Sequence, residues 1–159
     1  SRGSVVPIFL DINKKKKKFT ITHKEMTRFN ITLNEGIEFV NWCFKNNLGG
    51  EIFVPKLKSF KIVDLAKAIN PKAKFEIIGI RPGEKLHEEL ISETDSLNTA
   101  GGKNFYVILS FMEQTQFIKY LNIKKLKKMK KGFKYSSNNN IDFLNSSEIK
   151  RILKLNSFI

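Results

Sequence analysis

Residues 80–88, Ile-Arg-Pro-Gly-Glu-Lys-Leu-His-Glu, constrain this chain more than any other stretch. They close an apolar run from Phe75 to Ile80 that reads as a buried strand over 74–80. Pro82 and Gly83 punctuate that run, and residues 84–91 then read as an amphipathic helix. An arginine at a strand end, beside a helix N-terminus, suits a phosphate. The guanidinium offers paired donors, and the helix end adds unsatisfied N–H groups. Glu84 follows Arg81 by three residues, and its two oxygens can accept from two vicinal ribose hydroxyls. Together Arg81 and Glu84 suggest a nucleoside diphosphate as ligand.

The pattern upstream is consistent with α/β organisation. Residues 1–11 read as a loop entering a short helix, ended by the polar run 14–18, which is expected to be a solvated turn. Phe19-Thr20-Ile21-Thr22 alternates as a strand, and Phe29-Asn30-Ile31 is expected to pair back as a second. Thr32 and Glu35 have capping-box spacing. Leu33, Ile37, Val40 and Phe44 then recur at helical intervals, up to a stop near Asn46-Asn47 and a Gly49-Gly50 turn. Residues 51–54 predict a strand broken by Pro55. Ile62, Leu65, Ala66 and Ile69 predict a helix ended before Pro71. Strand, helix, strand, helix in this order argues for parallel pairing. Residues 92–103 read as a loop and 105–109 as a strand. Residues 110–131 are Lys-rich and expected to be partly helical, and 133–140 read as a polar loop. Asn145 with Glu148 predicts the cap of a last helix whose face is Ile149, Ile152 and Leu153.

Composition narrows the classes. No apolar run approaches the roughly 20 residues that a membrane crossing needs. The chain opens on Ser1-Arg2-Gly3-Ser4, with neither Met nor a signal-peptide pattern, and is expected to begin inside a longer protein or to be trimmed. Cys43 is the only cysteine, so no intrachain disulfide forms; its apolar neighbours predict a buried helical position. The net charge of +14 would raise nucleic acid as a partner. The excess is almost all lysine, however, whereas Arg2, Arg28, Arg81 and Arg151 are the only arginines. A nucleic-acid module predicts arginine clusters and exposed aromatics on one sheet face, and neither pattern is visible; no nucleic-acid partner is expected.

Five blocks occur in order: 1–7 (Ser-Arg-Gly-Ser-Val-Val-Pro), 21–29 (Ile-Thr-His-Lys-Glu-Met-Thr-Arg-Phe), 51–56 (Glu-Ile-Phe-Val-Pro-Lys), 61–66 (Lys-Ile-Val-Asp-Leu-Ala) and 80–88. In that order the chain resembles the C-terminal half of the inverting UDP-N-acetylglucosamine 4,6-dehydratases. These belong to the extended short-chain dehydrogenase/reductase superfamily and to the polysaccharide biosynthesis group. Residues 132–138 also resemble the end of that group. The resemblance implies an α/β substrate-binding part with short parallel strands and helices, the Rossmann half being missing. A nucleotide-sugar-binding lobe over 1–109 and a basic extension over 110–159, ending in a short helix, are expected. The glycines form no Gly-rich dinucleotide turn.

What the resemblance implies about chemistry follows. Hydride passes from sugar C4 to NADP, water leaves across C5 and C6, and hydride returns to C6 with C5 inverted. This half would hold the UDP handle of UDP-N-acetylglucosamine or a related UDP-sugar. It would lack catalytic residues and be inactive alone. The whole enzyme would be a cytoplasmic homo-oligomer serving surface polysaccharide or flagellar glycan synthesis. The alternatives are a UDP-sugar epimerase or reductase of the same superfamily and, in a different class, a basic nucleic-acid-binding module.

On the same resemblance, Arg81 grips the diphosphate and Glu84 the ribose. Thr22 contacts substrate at its strand end, and Arg28 is a second diphosphate clamp. Val5 touches the nucleotide end of the substrate, while Ser1 and Arg2 touch the dinucleotide. Met26 either lines the uracil pocket or fills a gap. His23 and His87 lack metal-ligand spacing and read as non-catalytic, with His87 on the helix after the turn. Tyr120 and Lys124 form a Y-x-x-x-K that a Lys-rich chain produces by chance. The run 124–131 reads as a solvated lysine face.

Overall fold

The computed structural model describes residues 4–109 and 113–159. These form two compact units, each assembled from segments distant in sequence. One holds residues 4–30 with Lys58–Glu88 and Asn140–Ile159; the other holds the described residues of Ile31–Leu57 and Glu89–Asn139. The stretch after residue 109, expected as one basic extension, is thus shared between them.

In the first unit, helix α1 (Val5–Lys14) is capped by Ser4, whose hydroxyl accepts from the Val6 N–H. Strand β1 (Phe19–Ile21) follows, then β2 (Thr27–Asn30). Strand β4 (Lys58–Lys61) leads directly into helix α3 (Ile62–Ile69), and β5 (Phe75–Ile77) comes after the Pro71 turn. Helix α5 (Ser146–Leu155) closes the unit with the predicted capping box. The Asn145 side chain accepts from the Glu148 N–H, and the Glu148 carboxylate accepts from the Asn145 N–H. The core of this unit gathers Phe9 of α1, Phe19 and Ile21 of β1, Leu65 and Ala66 of α3, and Ile149 and Leu153 of α5. Phe19 is the pivot, edge-on to Phe9 at 5.2 Å between ring centres. The α5 face is therefore the one its spacing predicted.

The second unit contains α2 (Leu33–Asn46), β3 (Ile52–Pro55), β6 (Glu89–Ile91), β7 (Thr99–Gly101), β8 (Phe105–Ile108), α4 (Gln114–Lys124), β9 (Lys127–Lys128) and β10 (Tyr135–Ser136). A four-stranded sheet runs in the order β3-β8-β7-β9. Pro55 is the last residue of β3, so the strand stops at the proline. As an edge strand, β3 tolerates a residue that cannot donate. Val107, Leu109, Phe117 and Tyr120 form the core. The predicted capping box of α2 is present, with Thr32 and Glu35 bonded reciprocally.

Several expectations are corrected. Only β1 and β5 pair in parallel among the named strands; every other named pair is antiparallel. Strand β2 pairs with β4, not back onto β1. The strand expected over 74–80 is Phe75–Ile77 alone, and it is not buried: Ile77, Ile78 and Ile80 are about half exposed. The loop expected over 92–103 contains a 3-10 turn (Asp95–Asn98) and β7, whose Thr99 and Ala100 are fully buried. The polar loop over 133–140 holds β10, which pairs with β6 while the Tyr135 hydroxyl bridges the Leu57 N–H and C=O. Cys43 is half-buried rather than buried, although its apolar surroundings still push the thiol pKa up.

The largest correction concerns residues 84–91. They form no helix. Residues 84–88 are irregular and Glu89–Ile91 is strand β6. The backbone carbonyls a helix would use internally are bound to β2 instead. Leu86 C=O accepts from the Thr27 N–H at 3.2 Å, and both Lys85 and Leu86 C=O accept from the Arg28 guanidinium. Each carbonyl so engaged is withdrawn from an i→i+4 ladder.

Candidate nucleotide site at the carboxyl ends of β1 and β5

Arg81-Pro82-Gly83-Glu84 is a tight turn. The Glu84 N–H donates to the Arg81 carbonyl at 3.0 Å. Pro82 and Gly83 occupy its central positions, and Gly83 has φ +78°. That is the type II pattern, in which proline presets the second residue and glycine accepts the left-handed third. A side chain at Gly83 would meet nothing within 4 Å, so the glycine answers to backbone conformation, not to crowding.

The Glu84 carboxylate ties this turn to the other predicted contact. One oxygen accepts from the Arg81 N–H at 3.2 Å, and the other lies 3.5 Å from the Thr22 hydroxyl. Thr22 sits one residue past β1, and Ile78 sits one past β5, held there by the Ile78 N–H to Ile21 C=O bond at 3.0 Å. The carboxyl ends of the parallel pair therefore bring together the Thr22 hydroxyl, the Glu84 carboxylate and the backbone of Arg81. Thr22 is buried, Glu84 half-buried and Arg81 exposed. Among the described residues, no carboxylate lies within ion-pair distance of Arg81.

Arg28 is turned inward. Its guanidinium donates to the carbonyls of Thr27 (2.7 Å), Leu86 (3.2 Å) and Lys85 (3.1 Å), and it contacts Met26 Sδ at 3.3 Å. Glu88 stands 3.8 Å from its Nε. Thr27 Oγ1 lies 2.7 Å from His87 Nδ1, and the Phe29 N–H donates to Glu88 at 2.7 Å. Arg28, Thr27 and Phe29 thus strap the segment after the turn onto β2. Burial, reinforced by the Arg28 and His23 charges, pushes the His87 pKa down. Met26 is 4% exposed within the first core, and its sulfur also lies 3.3 Å from the Thr22 hydroxyl. Val5 is half-buried on α1 against the same core. Ser1 and Arg2 lie outside the described residues.

The straps Thr27, His87 and Glu88 were absent from the expected site. Their residues stand inside the quoted blocks, but only the β2 register shows that they meet. Tyr120 is 4% exposed; burial, with the Glu51 charge and hydrogen bond, pushes its hydroxyl far above the ordinary tyrosine value. A tyrosine acting in proton transfer needs the opposite shift. Lys124 donates to the Asn46 carbonyl at 3.0 Å. Among the described residues no group of histidine, cysteine and carboxylate side chains could hold a metal, and no helix is long and apolar enough to cross a membrane.

The chain is 44% identical over 158 residues to a UDP-N-acetylglucosamine 4,6-dehydratase (inverting) of Campylobacter jejuni, covering 96% of this chain and 47% of that protein. It is 36% identical to a UDP-glucose 4-epimerase of Rickettsia bellii, covering 96% of this chain and 46% of that one. The X-ray structure of Pen from Bacillus thuringiensis superposes with a TM-score of 0.79 at 28% identity, over 100% of this chain and 46% of that one. The chain spans about half the length of these relatives, and the part matched in the dehydratases is their C-terminal part. The family described as polysaccharide biosynthesis protein matches residues 1–110. On that match, the chain belongs to the polysaccharide biosynthesis protein family.

Proposed function

We propose that this chain holds the UDP end of a UDP-sugar, as the nucleotide-sugar-binding part of an NADP-dependent, C5-inverting UDP-N-acetylglucosamine 4,6-dehydratase, a lyase of the cytoplasm. The observation that carries the reading is the convergence of Arg81, Glu84 and Thr22 at the carboxyl ends of β1 and β5. Ligands of open α/β sheets gather at such strand ends. Arg81, exposed and without a carboxylate partner among the described residues, pairs with diphosphate oxygens. Glu84, already fixed by the turn, accepts from the ribose hydroxyls. Thr22 closes the strand end, and Val5 supports it through the core. Arg28 serves this site by holding Lys85 and Leu86, so the diphosphate meets one direct arginine and one that braces its loop.

Binding energy from the UDP handle positions the sugar for chemistry elsewhere. The resemblance assigns the dinucleotide contacts to Ser1 and Arg2, which lie outside the described residues. The test is calorimetric titration of the chain with UDP and with uridine. UDP binding that needs Arg81 and exceeds uridine binding supports the reading; equal binding of the two removes the diphosphate contact. A UDP-sugar epimerase is the second reading, favoured by the 36% identity to the Rickettsia enzyme. Product analysis of the longer protein separates them, since a 4-keto-6-deoxy product excludes the epimerase.

A further inference from the structure

The first unit carries a cleft at the opposite ends of the same strands. Residues 16–18, after α1, and Lys72 and Lys74, after α3, face one cleft of ≈ 480 Å³. Phe19 forms part of its wall, where its N–H donates to the Lys74 carbonyl at 2.8 Å. Thr22 leaves the other end of β1, about 10 Å along the strand at roughly 3.3 Å per residue. The cleft is therefore distinct from the proposed UDP site.

Two properties make this more than scattered surface charge. First, five ammonium groups from segments more than fifty residues apart in sequence line one hollow, and no acidic residue lines it. Among the described residues none of the five has an ion pair; the nearby Asp11 is taken by Lys15 at 2.7 Å. Secondly, the backbone holding them is fixed. Asn70 donates to the Asn13 side chain at 3.0 Å and accepts from the Lys72 N–H at 2.9 Å, linking the two turns. Lys16 adopts φ +54°, held between the Lys15 N–H to Asp11 C=O and Lys17 N–H to Ile12 C=O bonds. Like charges set around one hollow repel each other, and a multivalent anion relieves that repulsion.

We propose that this cleft binds an anion carrying two or more closely spaced phosphates. Lysine ammoniums act as point charges with no fork geometry, so the site selects charge density more than shape. A single exposed contact is weakened by salt screening over about 8 Å, so a monophosphate gains little and clustered phosphates gain most. A volume near 480 Å³ equals about sixteen waters at roughly 30 Å³ each, enough for several phosphates with part of their hydration. The clustered phosphates can belong to a soluble polyphosphate or to a phosphorylated lipid head group.

The test titrates the full chain with inorganic tripolyphosphate and with orthophosphate at physiological salt. The variants are Lys17→Ala/Lys72→Ala/Lys74→Ala and, as a charge-matched control, Lys127→Ala/Lys128→Ala/Lys131→Ala. All these lysines are exposed, and unchanged melting of both variants checks the fold. Tripolyphosphate is expected to bind at least about tenfold more tightly than orthophosphate, and the cleft variant to lose at least about tenfold while the control does not. Arg81→Ala is expected to keep tripolyphosphate binding, so failure here and failure of the UDP reading are told apart. Flotation with phosphatidylinositol 4,5-bisphosphate vesicles against phosphatidylinositol vesicles assigns the source: retention that the cleft variant abolishes points to a head group. No tripolyphosphate binding, or equal losses in the cleft and control variants, overturns the proposal.

Discussion

Thr22 Oγ1 lies 3.5 Å from Glu84 Oε1, across 62 residues of sequence. The hydroxyl has one hydrogen, and Met26 Sδ is slightly nearer at 3.3 Å. When that hydrogen turns to sulfur, Glu84 Oε1 is left with acceptor capacity facing the strand end. The other oxygen is already held by the Arg81 N–H. A carboxylate positioned by its own turn, with one oxygen partly free, is prepared to accept from a ligand without rearranging.

That arrangement makes the ribose contact separable from the phosphate contact. Arg81→Ala is expected to weaken UDP binding by about ten- to a hundredfold, the loss of a charge-assisted hydrogen bond at roughly 1.5–3 kcal/mol. Glu84→Ala is expected to weaken UDP binding too, but to make 2′-deoxy-UDP and UDP equal, because the hydroxyl then has no partner to lose. Calorimetry on the four protein–ligand combinations gives the coupling. If the preference for the ribose survives Glu84→Ala, the carboxylate is not its partner.

Arg28 is expected to matter chiefly through the loop it braces. It donates to three carbonyls and is only 21% exposed in its ion-pair geometry with Glu88. Arg28→Lys removes the planar fork while keeping the charge. It should lower stability by about 1–3 kcal/mol, because the carbonyls of Lys85 and Leu86 lose donors. UDP affinity should fall with it. Urea denaturation of the variant checks this; unchanged stability would show that the three carbonyl contacts contribute nothing net.

How much of this was legible before the fold was known depends on the kind of signal. The helix caps were legible because Thr32 with Glu35, and Asn145 with Glu148, act within four residues. The α5 core face was legible for the same local reason. The Arg81–Glu84 turn could be read because proline and glycine each dictate backbone angles. The helix expected after it failed because its competitor is distant: Thr27 and Arg28 take the carbonyls of Lys85 and Leu86. Local periodicity holds no record of a partner 58 residues away. The inward turn of Arg28 was hidden likewise, since a guanidinium looks the same in sequence whether it meets phosphate or backbone.

His87 gives the site a pH dependence. Burial lowers its pKa from the ordinary imidazole value of 6.5, with the Arg28 and His23 charges acting in the same sense and Glu25 opposing. The unfolded chain therefore binds the proton more readily. The contribution from neutral His87 is fully present above about pH 6.5 and is lost as pH falls from there through the depressed folded value. Urea midpoints from about pH 7.5 down to about pH 5 should fall, and His87→Gln should remove part of that slope. A slope unchanged in His87→Gln would transfer the effect to other groups.

Helix α2 has two apolar faces and packs only one of them, the half-buried Trp42 side. Trp42 packs on Phe53 and Phe105 at 5.3 and 4.6 Å between ring centres, within its own unit. The stripe that gave the helix its sequence signature stays exposed: Leu33 at 78%, Ile37 at 51%, Val40 at 52% and Phe44 at 75%. Exposing contiguous apolar surface of this kind favours association. The isolated chain is expected to self-associate at micromolar concentration, despite its net charge of +14. Ile37→Lys/Phe44→Lys should disperse it while leaving helix content unchanged, since the substituted positions are exposed and lysine is a good helix former. Light scattering with circular dichroism reads both. A monodisperse monomer of the unmodified chain would show that the stripe is too small to drive association alone, and dispersal with loss of helix would show that Ile37 and Phe44 hold the fold.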